Sequence, residues 1–171
     1  MPNSYILVKL WPLCFTCIEV IVDRITTQRR SANMSKIKSK GMKPEMLVRS
    51  LAHGMGYRYR LHRKDLPGKP DLVFPRLRKA IFVHGCFWHQ HSIENCRRSH
   101  IPRSNGEYWQ PKLDRNVARD KSAFLELTHL GWKILVLWEC ELKNTEQIEV
   151  RVKEFLGPNS RSRARVSGNT P

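Results

Sequence analysis

The sequence predicts an α/β protein with one mixed central sheet flanked by helices. The chain has 171 residues, enough for a single domain with a hydrophobic core. Apolar periodicity gives the order helix, three strands, helix, strand, helix. Three consecutive strands favour an antiparallel meander. The last strand follows a helical crossover, which favours parallel pairing.

The first predicted helix covers "MKPEMLVRSLAHGMG". Pro44 suits a first helical turn, and Glu45 suits the positive end of the helix. Gly54 or Gly56 is expected to end it. One apolar face is formed by Leu47, Val48 and Leu51.

Three strands are predicted next. In "YRYRLHR", aromatic or aliphatic residues alternate with basic ones, which indicates a half-exposed strand. "LPGKP" is typical of a turn, and the β-rich runs "DLVF" and "KAIFVHG" give the second and third strands.

The second half of the chain supplies the remaining elements. "PKLDRNVARDKSAFLELTHLG" predicts a helix that stops at Gly131, "WKILVLWE" a buried strand, and "TEQIEVRVKEFLG" a last helix with Asn144 as its cap. The apolar face of the long helix is formed by Leu113, Val117, Phe124, Leu127 and Leu130. From residue 157 to 171 the chain is basic and predicted to be disordered.

The charge indicates a polyanionic partner. The formal net charge is +16, and nucleic acid is the expected partner for an excess of this size and sign. No long amphipathic basic helix points to a membrane surface. The apolar run in residues 1–22 is interrupted by Lys9, Pro12 and Glu19. It therefore predicts neither a membrane span nor a signal peptide, and this extension receives no function.

The cysteines indicate a metal site. Five cysteines are an odd number, and without a secretory signal they favour a reducing compartment over a disulfide framework. Three thiolates and one imidazole would complete a closed tetrahedral zinc site of the structural kind, formed by Cys86, His91, Cys96 and Cys140. His89 and His100 are rival fourth ligands. The lone C-x-x-C of Cys14 and Cys17 is interpreted as incidental.

A carboxylate and two histidines indicate phosphodiester chemistry. Asp71 stands where the Pro-Gly turn enters a strand, a rigid position for holding Mg²⁺. The next strand lacks the acid and lysine of the PD…(D/E)xK nuclease pattern. His84 and His89 follow it, and a histidine can take the proton from the attacking water in place of lysine.

Adjacent aromatic rings indicate contact with bases. Phe87 and Trp88 are predicted to lie at a loop tip, where rings on a basic surface stack on bases or wedge between them. Trp109 is a further candidate. Packing within the core or a hairpin is the alternative for each ring.

The motifs together resemble a known family. "PGKPDLVF", "IFVHGCFWHQH", "EYWQPKLDRNVARD" and "LGWKILVLWECEL" occur in the order found in the very-short-patch-repair mismatch endonucleases, and "RSANMSKIKSKGMKPEMLVRSL" resembles their N-terminal segment. The resemblance covers residues 23–156, which it defines as the endonuclease domain. It implies a restriction-endonuclease-like α/β core, and cleavage of one DNA strand 5′ to the thymine of a T:G mismatch that arises from 5-methylcytosine.

The resemblance also implies roles for individual residues. Asp71 and the main chain of Val83 would hold catalytic Mg²⁺, and His89 would be the general base, supported by His84 and Glu45. The four zinc ligands match the structural zinc site of the family. The residues implied to contact DNA are Met34, Phe87, Trp88, Trp109, Lys112 and Asn116. The segment between His91 and Cys96 is longer than in a known member of the family.

The resemblance also implies partners, and two other functions remain as alternatives. The resemblance implies a monomer in the bacterial cytoplasm, associated with the nucleoid, that works with the mismatch-repair matchmaker and a repair polymerase. One alternative is a restriction-type nuclease of the same fold that cuts matched sites, and another is a non-catalytic zinc-stabilised DNA-binding protein. A catalytic zinc hydrolase is disfavoured because the predicted ligand set is full.

Overall fold

A computed structural model describes Thr26, Gln28, Arg29, Ala32 and residues 41–93, 96–102 and 106–158. Met34, the extension 1–22 and most of the basic tail lie outside the described residues, so the predictions made for them are not tested. The boundaries of the endonuclease domain likewise stay a prediction.

The elements follow the predicted order. They are α1 (Lys43–Gly54), β1 (Arg60–Leu61), β2 (Leu72–Phe74), β3 (Lys79–His84), α2 (Cys86–His89), α3 (Gly106–His129), β4 (Lys133–Trp138) and α4 (Thr145–Leu156). The sheet has the order β1-β2-β3-β4. β1, β2 and β3 pair antiparallel, and β3 pairs parallel with β4. The predicted mixed sheet is confirmed.

Helices cover both faces of the sheet, and successive side chains of β2 point to opposite faces and pack against them. Leu72 and Phe74 belong to a core cluster with Val48 of α1 and Val152 of α4. Val73 points the other way and packs with the core residues on the α3 side, Phe82 and Leu127. The result is a three-layer arrangement with the sheet in the middle.

Parallel pairing places the carboxyl ends of β3 and β4 side by side. His84 is the register partner of Trp138, and the N–H of Glu139 donates to the carbonyl of His84 at 2.9 Å. The segments that leave these two strands, from Gly85 and from Glu139, therefore start next to each other.

The helix ends agree with the predicted signals. α1 has a proline at its start and ends at Gly54. The N–H of Gln147 donates to the side chain of Asn144 at 3.1 Å, so Asn144 caps α4. Gly131 has a φ of +75°, a left-handed conformation that suits glycine after the end of α3.

Two predicted boundaries were wrong. α3 begins at Gly106, five residues before the predicted start at Pro111. A proline near the start removes one helical hydrogen bond, and the burial of Trp109 and Leu113 on one face offsets that loss. β1 has two residues instead of seven, and the left-handed φ of +43° at His62 ends it after Leu61.

Three other expectations also need correction. Phe87 and Trp88 lie in the helical turn α2, not at a loop tip. β4 was expected to be buried, but only Leu137 is, because β4 is an edge strand of the sheet. Leu130 is exposed, since α3 ends at His129. No helix among the described residues is long and apolar enough to cross a membrane.

Candidate active site and metal centre

A cavity of about 500 Å³ opens beside the carboxyl end of β3. Eight of the predicted site residues line it: Glu45, Asp71, Val83, Phe87, Trp88, His89, Lys112 and Asn116. Three charged residues that were not predicted as site residues join them, namely Arg119, Asp120 and Glu139. The predicted catalytic and DNA-contacting residues are therefore largely brought together in one place.

Asp71 immediately precedes β2, so the sheet fixes its position. The N–H of Val83 donates to Asp71 Oδ2 at 2.7 Å, which ties the carboxylate to β3. Burial raises the pKa of Asp71 to about 6. The hydrogen bond from Val83 opposes the rise, the nearby Glu45 adds to it, and Arg49 and His89 reduce it. This buried carboxylate lacks full charge compensation, which suits it to hold a cation.

Glu45 is buried behind Asp71 in a polar network. Its Oε1 pairs with Arg49 and lies 3.2 Å from His62 Nε2, while Oε2 accepts from the N–H of Gly41 at 2.5 Å. Arg49 also donates to His62 Nε2 at 2.8 Å. Ligand atoms of Glu45, His62 and Asp71 all lie within 4.8 Å of one another. Oxygen-rich donors of this kind fit a hard divalent cation.

His89 is oriented by a carboxylate that the sequence analysis missed. His89 Nδ1 lies 2.5 Å from Asp120 Oδ2, on the side of α3 that faces the cavity. A carboxylate can only accept, so Nδ1 carries a proton, and in the neutral ring the lone pair is on Nε2. The neutral form of His89 would therefore accept a proton through Nε2.

His84 lies behind His89 and is not part of the cavity wall. The two rings are stacked, with centroids 3.8 Å apart and planes 16° apart. Burial, and after it repulsion from His89 when that ring is protonated, lowers the pKa of His84 to about 4, while Asp120 opposes the shift. His84 is consequently neutral at neutral pH.

The predicted DNA-contacting rings form one cluster at the rim. Phe87 packs edge-on against Trp88 and Trp109, with centroids 4.9 and 5.2 Å away. Lys112 Nζ lies 5.5 to 5.6 Å from the ring centroids of Trp88, Tyr108 and Trp109. Phe87 and Trp88 are half-buried, whereas Trp109 is only 5% exposed and lies beneath them.

The four predicted zinc ligands converge at a second centre. Ligand atoms of Cys86, His91, Cys96 and Cys140 all lie within 4.8 Å of one another, and His91 Nε2 is 3.6 Å from Cys140 Sγ. Burial raises the pKa of Cys86 to about 12. A divalent cation would stabilise the thiolates that this burial disfavours. Three sulfurs and one imidazole fit tetrahedral zinc with no open position.

The same helical turn serves both centres. α2 supplies Cys86 to the metal centre and His89 to the cavity, with Phe87 and Trp88 between them. Arg98, which follows Cys96, pairs with Glu139 on the cavity wall at 2.6 Å. The candidate metal centre is thus tied directly to the residues that line the cavity.

Asp120 could have been found in the sequence from its spacing. Lys112, Asn116 and Asp120 are four residues apart, so they lie on one face of a helix. Once Lys112 and Asn116 were placed at the site, this spacing pointed to Asp120. The sequence has no comparable signal for Glu139, which reaches the cavity through the parallel register of β3 and β4.

Comparison with known proteins identifies related chains. The sequence model of the family described as "DNA mismatch endonuclease Vsr" matches residues 22–95. The type II nicking enzyme V.XorIIP of Xanthomonas oryzae pv. oryzae is 47% identical over 139 residues, which cover 81% of this chain and 100% of that protein. The type II nicking enzyme V.NmeAIP of Neisseria meningitidis serogroup A is 46% identical, with 72% and 86% covered. DNA mismatch endonuclease Vsr of Escherichia coli is 39% identical, with 70% and 74% covered.

Proposed function

The chain belongs to the Vsr family of DNA mismatch endonucleases, and on that premise we propose that it nicks one strand 5′ of the thymine in a T:G mismatch. Membership makes it a DNA nicking endonuclease; the mismatch and the metal requirement are the proposed part. The observation that carries the proposal is that Asp71, the His89–Asp120 pair and the rim aromatics share one cavity. Very short patch repair is the process that this reaction would serve.

His89 is the proposed general base. Asp120 holds the proton on Nδ1, so Nε2 can take a proton from the water that attacks the phosphodiester. The neutral His84 ring stacked on His89 fixes its plane. The products would be a 5′-phosphate and a 3′-hydroxyl.

Asp71 is the proposed ligand of catalytic Mg²⁺. When bound, this ion would polarise the phosphate and stabilise the charge that develops on it. Val83 donates its N–H to Asp71, and the N–H and C=O of one residue point to the same side of an extended strand. The Val83 carbonyl therefore faces the side of β3 where Asp71 lies and suits the role of second ligand. Glu45, buried behind Asp71, would support the site.

Mismatch recognition is assigned to the rim. Phe87 and Trp88 are proposed to wedge into the base stack, with Trp109 beside them and Met34 from the opposite groove. A T:G pair costs less to unstack than a matched pair, so a wedge gains selectivity from deformability. Lys112 and Asn116 are proposed to contact the mismatched bases. Asn116 already donates to the carbonyl of Trp88 at 3.2 Å, which links base contact to the wedge.

Other features of the proposal follow from the same resemblance. Zinc held by Cys86, His91, Cys96 and Cys140 would be structural, and the mixed sheet would be a restriction-endonuclease-like core. We further propose a monomer that acts in the bacterial cytoplasm at the nucleoid. A mismatch-repair matchmaker and a repair polymerase would act with it.

The test is a nicking assay on two duplexes that are identical except at one position, where one carries a T:G mismatch and the other a T:A pair. Each is placed in a CC(A/T)GG context and in several other contexts. Reactions contain Mg²⁺ or no added divalent ion, and the protein is kept loaded with zinc, because a strong chelator would also strip the cysteine site. We expect a Mg²⁺-dependent nick 5′ of the mismatched thymine and no nick in T:A.

Other outcomes would identify the alternatives. Equal cutting of T:G and T:A duplexes would contradict mismatch specificity and favour a restriction-type enzyme. Tight binding of the T:G duplex without cleavage in any context would contradict the catalytic roles proposed for Asp71 and His89. It would leave a zinc-stabilised DNA-binding protein.

A further inference from the structure

We propose that Arg119 binds the non-bridging oxygens of the phosphate that is cleaved. Arg119 lies on α3 next to Asp120, and its side chain lines the cavity that contains Asp71 and His89. The inference rests on the proposed endonuclease site and adds to it the residue that receives the negative charge of the substrate.

The cavity needs such a residue because its wall is rich in acids. Four carboxylates line it, those of Glu45, Asp71, Asp120 and Glu139. Three of them already have cationic or imidazole partners: Glu45 pairs with Arg49, Asp120 with His89, and Glu139 with Arg98. A phosphodiester that enters this cavity would be repelled by the acids, and none of these partners is free to bind it.

Two further cations line the cavity, and their surroundings differ. The Lys112 ammonium lies over the rings of Trp88, Tyr108 and Trp109, which assigns it to the aromatic rim. Arg119 is exposed, and its Nη2 donates to Asn116 Oδ1 at 3.0 Å. Within the described part of the chain, no carboxylate forms an ion pair with Arg119. Its charge is therefore available to a ligand.

Asn116 orients this guanidinium. Asn116 and Arg119 are three residues apart on α3, so their side chains are neighbours on the helix surface. The other end of the Asn116 amide donates to the carbonyl of Trp88. Binding of phosphate at Arg119 is thereby connected through one amide to the residue proposed to open the base stack.

The chemistry of arginine suits this role. A guanidinium stays charged at every working pH and can donate two parallel hydrogen bonds to a phosphate. Arg119 occupies the cavity wall beside the His89–Asp120 pair, so the group that binds the phosphate and the group that activates water belong to one wall. Donors placed where charge develops in the transition state accelerate the reaction more than they strengthen binding.

The first experiment measures binding and needs no catalysis. Wild type, Arg119→Gln and the control Lys121→Gln are titrated without Mg²⁺ against a T:G duplex. A second duplex carries an uncharged methylphosphonate in place of the scissile phosphate. Lys121 is exposed two residues further along α3 and does not line the cavity. Zinc content and thermal unfolding of each variant are compared with those of wild type. A further variant, Arg119→Lys, keeps the positive charge and is titrated against the same two duplexes.

We expect methylphosphonate to weaken binding of wild type and of Lys121→Gln by about tenfold, as for loss of one charged contact. Arg119→Gln should bind the normal duplex correspondingly less tightly and be almost indifferent to methylphosphonate. Its plot of log K against log salt should lose about 0.9 from its slope, the value for one phosphate. Equal sensitivity of Arg119→Gln and wild type to methylphosphonate would overturn the proposal.

The second experiment measures single-turnover nicking at saturating protein. Arg119→Gln should be slower by about 10²–10³-fold, as for removal of one donor to a transition state, and Arg119→Lys should recover part of the rate. A rate within twofold of wild type, or a loss confined to affinity, would overturn the assignment to the reacting phosphate. If wild type nicks T:A as well as T:G, only the mismatch proposal fails, and Arg119 is judged on whichever duplex is cut.

Discussion

The imidazole rings of His84 and His89 lie nearly parallel, with 3.8 Å between their centroids. Positive charge on one ring disfavours positive charge on the other, so the two rings cannot readily be protonated together. The two rings have different surroundings. His84 is buried among aromatic rings, whereas His89 faces the cavity and has the Asp120 carboxylate on Nδ1. In this stack His84 is the neutral ring that supports the other, and His89 is the ring proposed to act as the base.

Loss of the Asp120 carboxylate should slow the reaction without unfolding the protein. In Asp120→Asn the side-chain amide can donate as well as accept, so it no longer holds the proton on His89 Nδ1. We therefore expect single-turnover nicking to fall by about 10²-fold, the lower end for general-base catalysis. Asp114→Asn, on the exposed surface of the same helix, is the control and should keep the parental rate.

Neutral His84 should make stability depend on pH. Its pKa is about 4 in the folded protein and about 6.5 when unfolded, so its neutral form is favoured by folding. Its contribution is fully present above pH 6.5 and is lost as pH falls towards 4. It amounts to about 3 kcal/mol at most. Urea unfolding at pH 7.5 and 4.5 should show a smaller pH difference for His84→Phe than for wild type. The exposed His129→Gln should change nothing.

Asp71 should destabilise the free protein at neutral pH. Its pKa of about 6, above the ordinary 3.8, means that folding favours the protonated form. The stability it contributes is present below pH 3.8 and is lost as pH rises through 6. Asp71→Asn should therefore abolish nicking yet raise the free energy of unfolding at pH 7.5 by about 1–3 kcal/mol. Urea unfolding of zinc-loaded protein without Mg²⁺ checks this.

Added Mg²⁺ supplies the matched comparison for Asp71. An ion that binds only the folded state raises stability in proportion to the logarithm of its concentration. Mg²⁺ should stabilise wild type at pH 7.5 and leave Asp71→Asn unchanged. Equal stabilisation of both proteins would contradict Asp71 as a metal ligand.

Removal of a cysteine ligand should affect folding before chemistry. Cys140→Ser should lower zinc content, measured by metal analysis, and reduce the midpoint of urea unfolding, because structural zinc contributes to folding free energy. Cys17→Ser is the control, since its C-x-x-C was interpreted as incidental. Full zinc content in Cys140→Ser would show that the thiol is not a ligand.

The rim tryptophans should separate into a packing residue and a wedge. Trp109 is only 5% exposed, so Trp109→Ala should cost about 3–5 kcal/mol in the free energy of unfolding. Trp88 is half-buried at the cavity, so Trp88→Ala should cost much less stability. It should nevertheless reduce the ratio of T:G to T:A nicking. An unchanged ratio would remove Trp88 from mismatch recognition.

Local patterns in the sequence were enough for the order of elements and the strand pairing. Asp71 and His89 were predicted from their places beside the strands, whereas Lys112 was named only through the family resemblance, and all three line one cavity. The start of α3 was missed because a proline usually marks a helix boundary, and the burial of Trp109 overrode that rule. Tertiary partnerships were not visible in the sequence. The contact of Asp120 with His89 spans 31 residues and depends on how α3 lies against α2.

The single turn of α2 fixes how insertions and deletions can be tolerated here. Four consecutive residues, Cys86 to His89, point in directions about 100° apart and serve the metal centre, the rim and the cavity. One residue added after Gly85 would shift all four along the helix by one position, so each side chain would point where its neighbour points now. A change of chain length inside this turn would therefore disturb the cysteine–histidine cluster and the cavity at once.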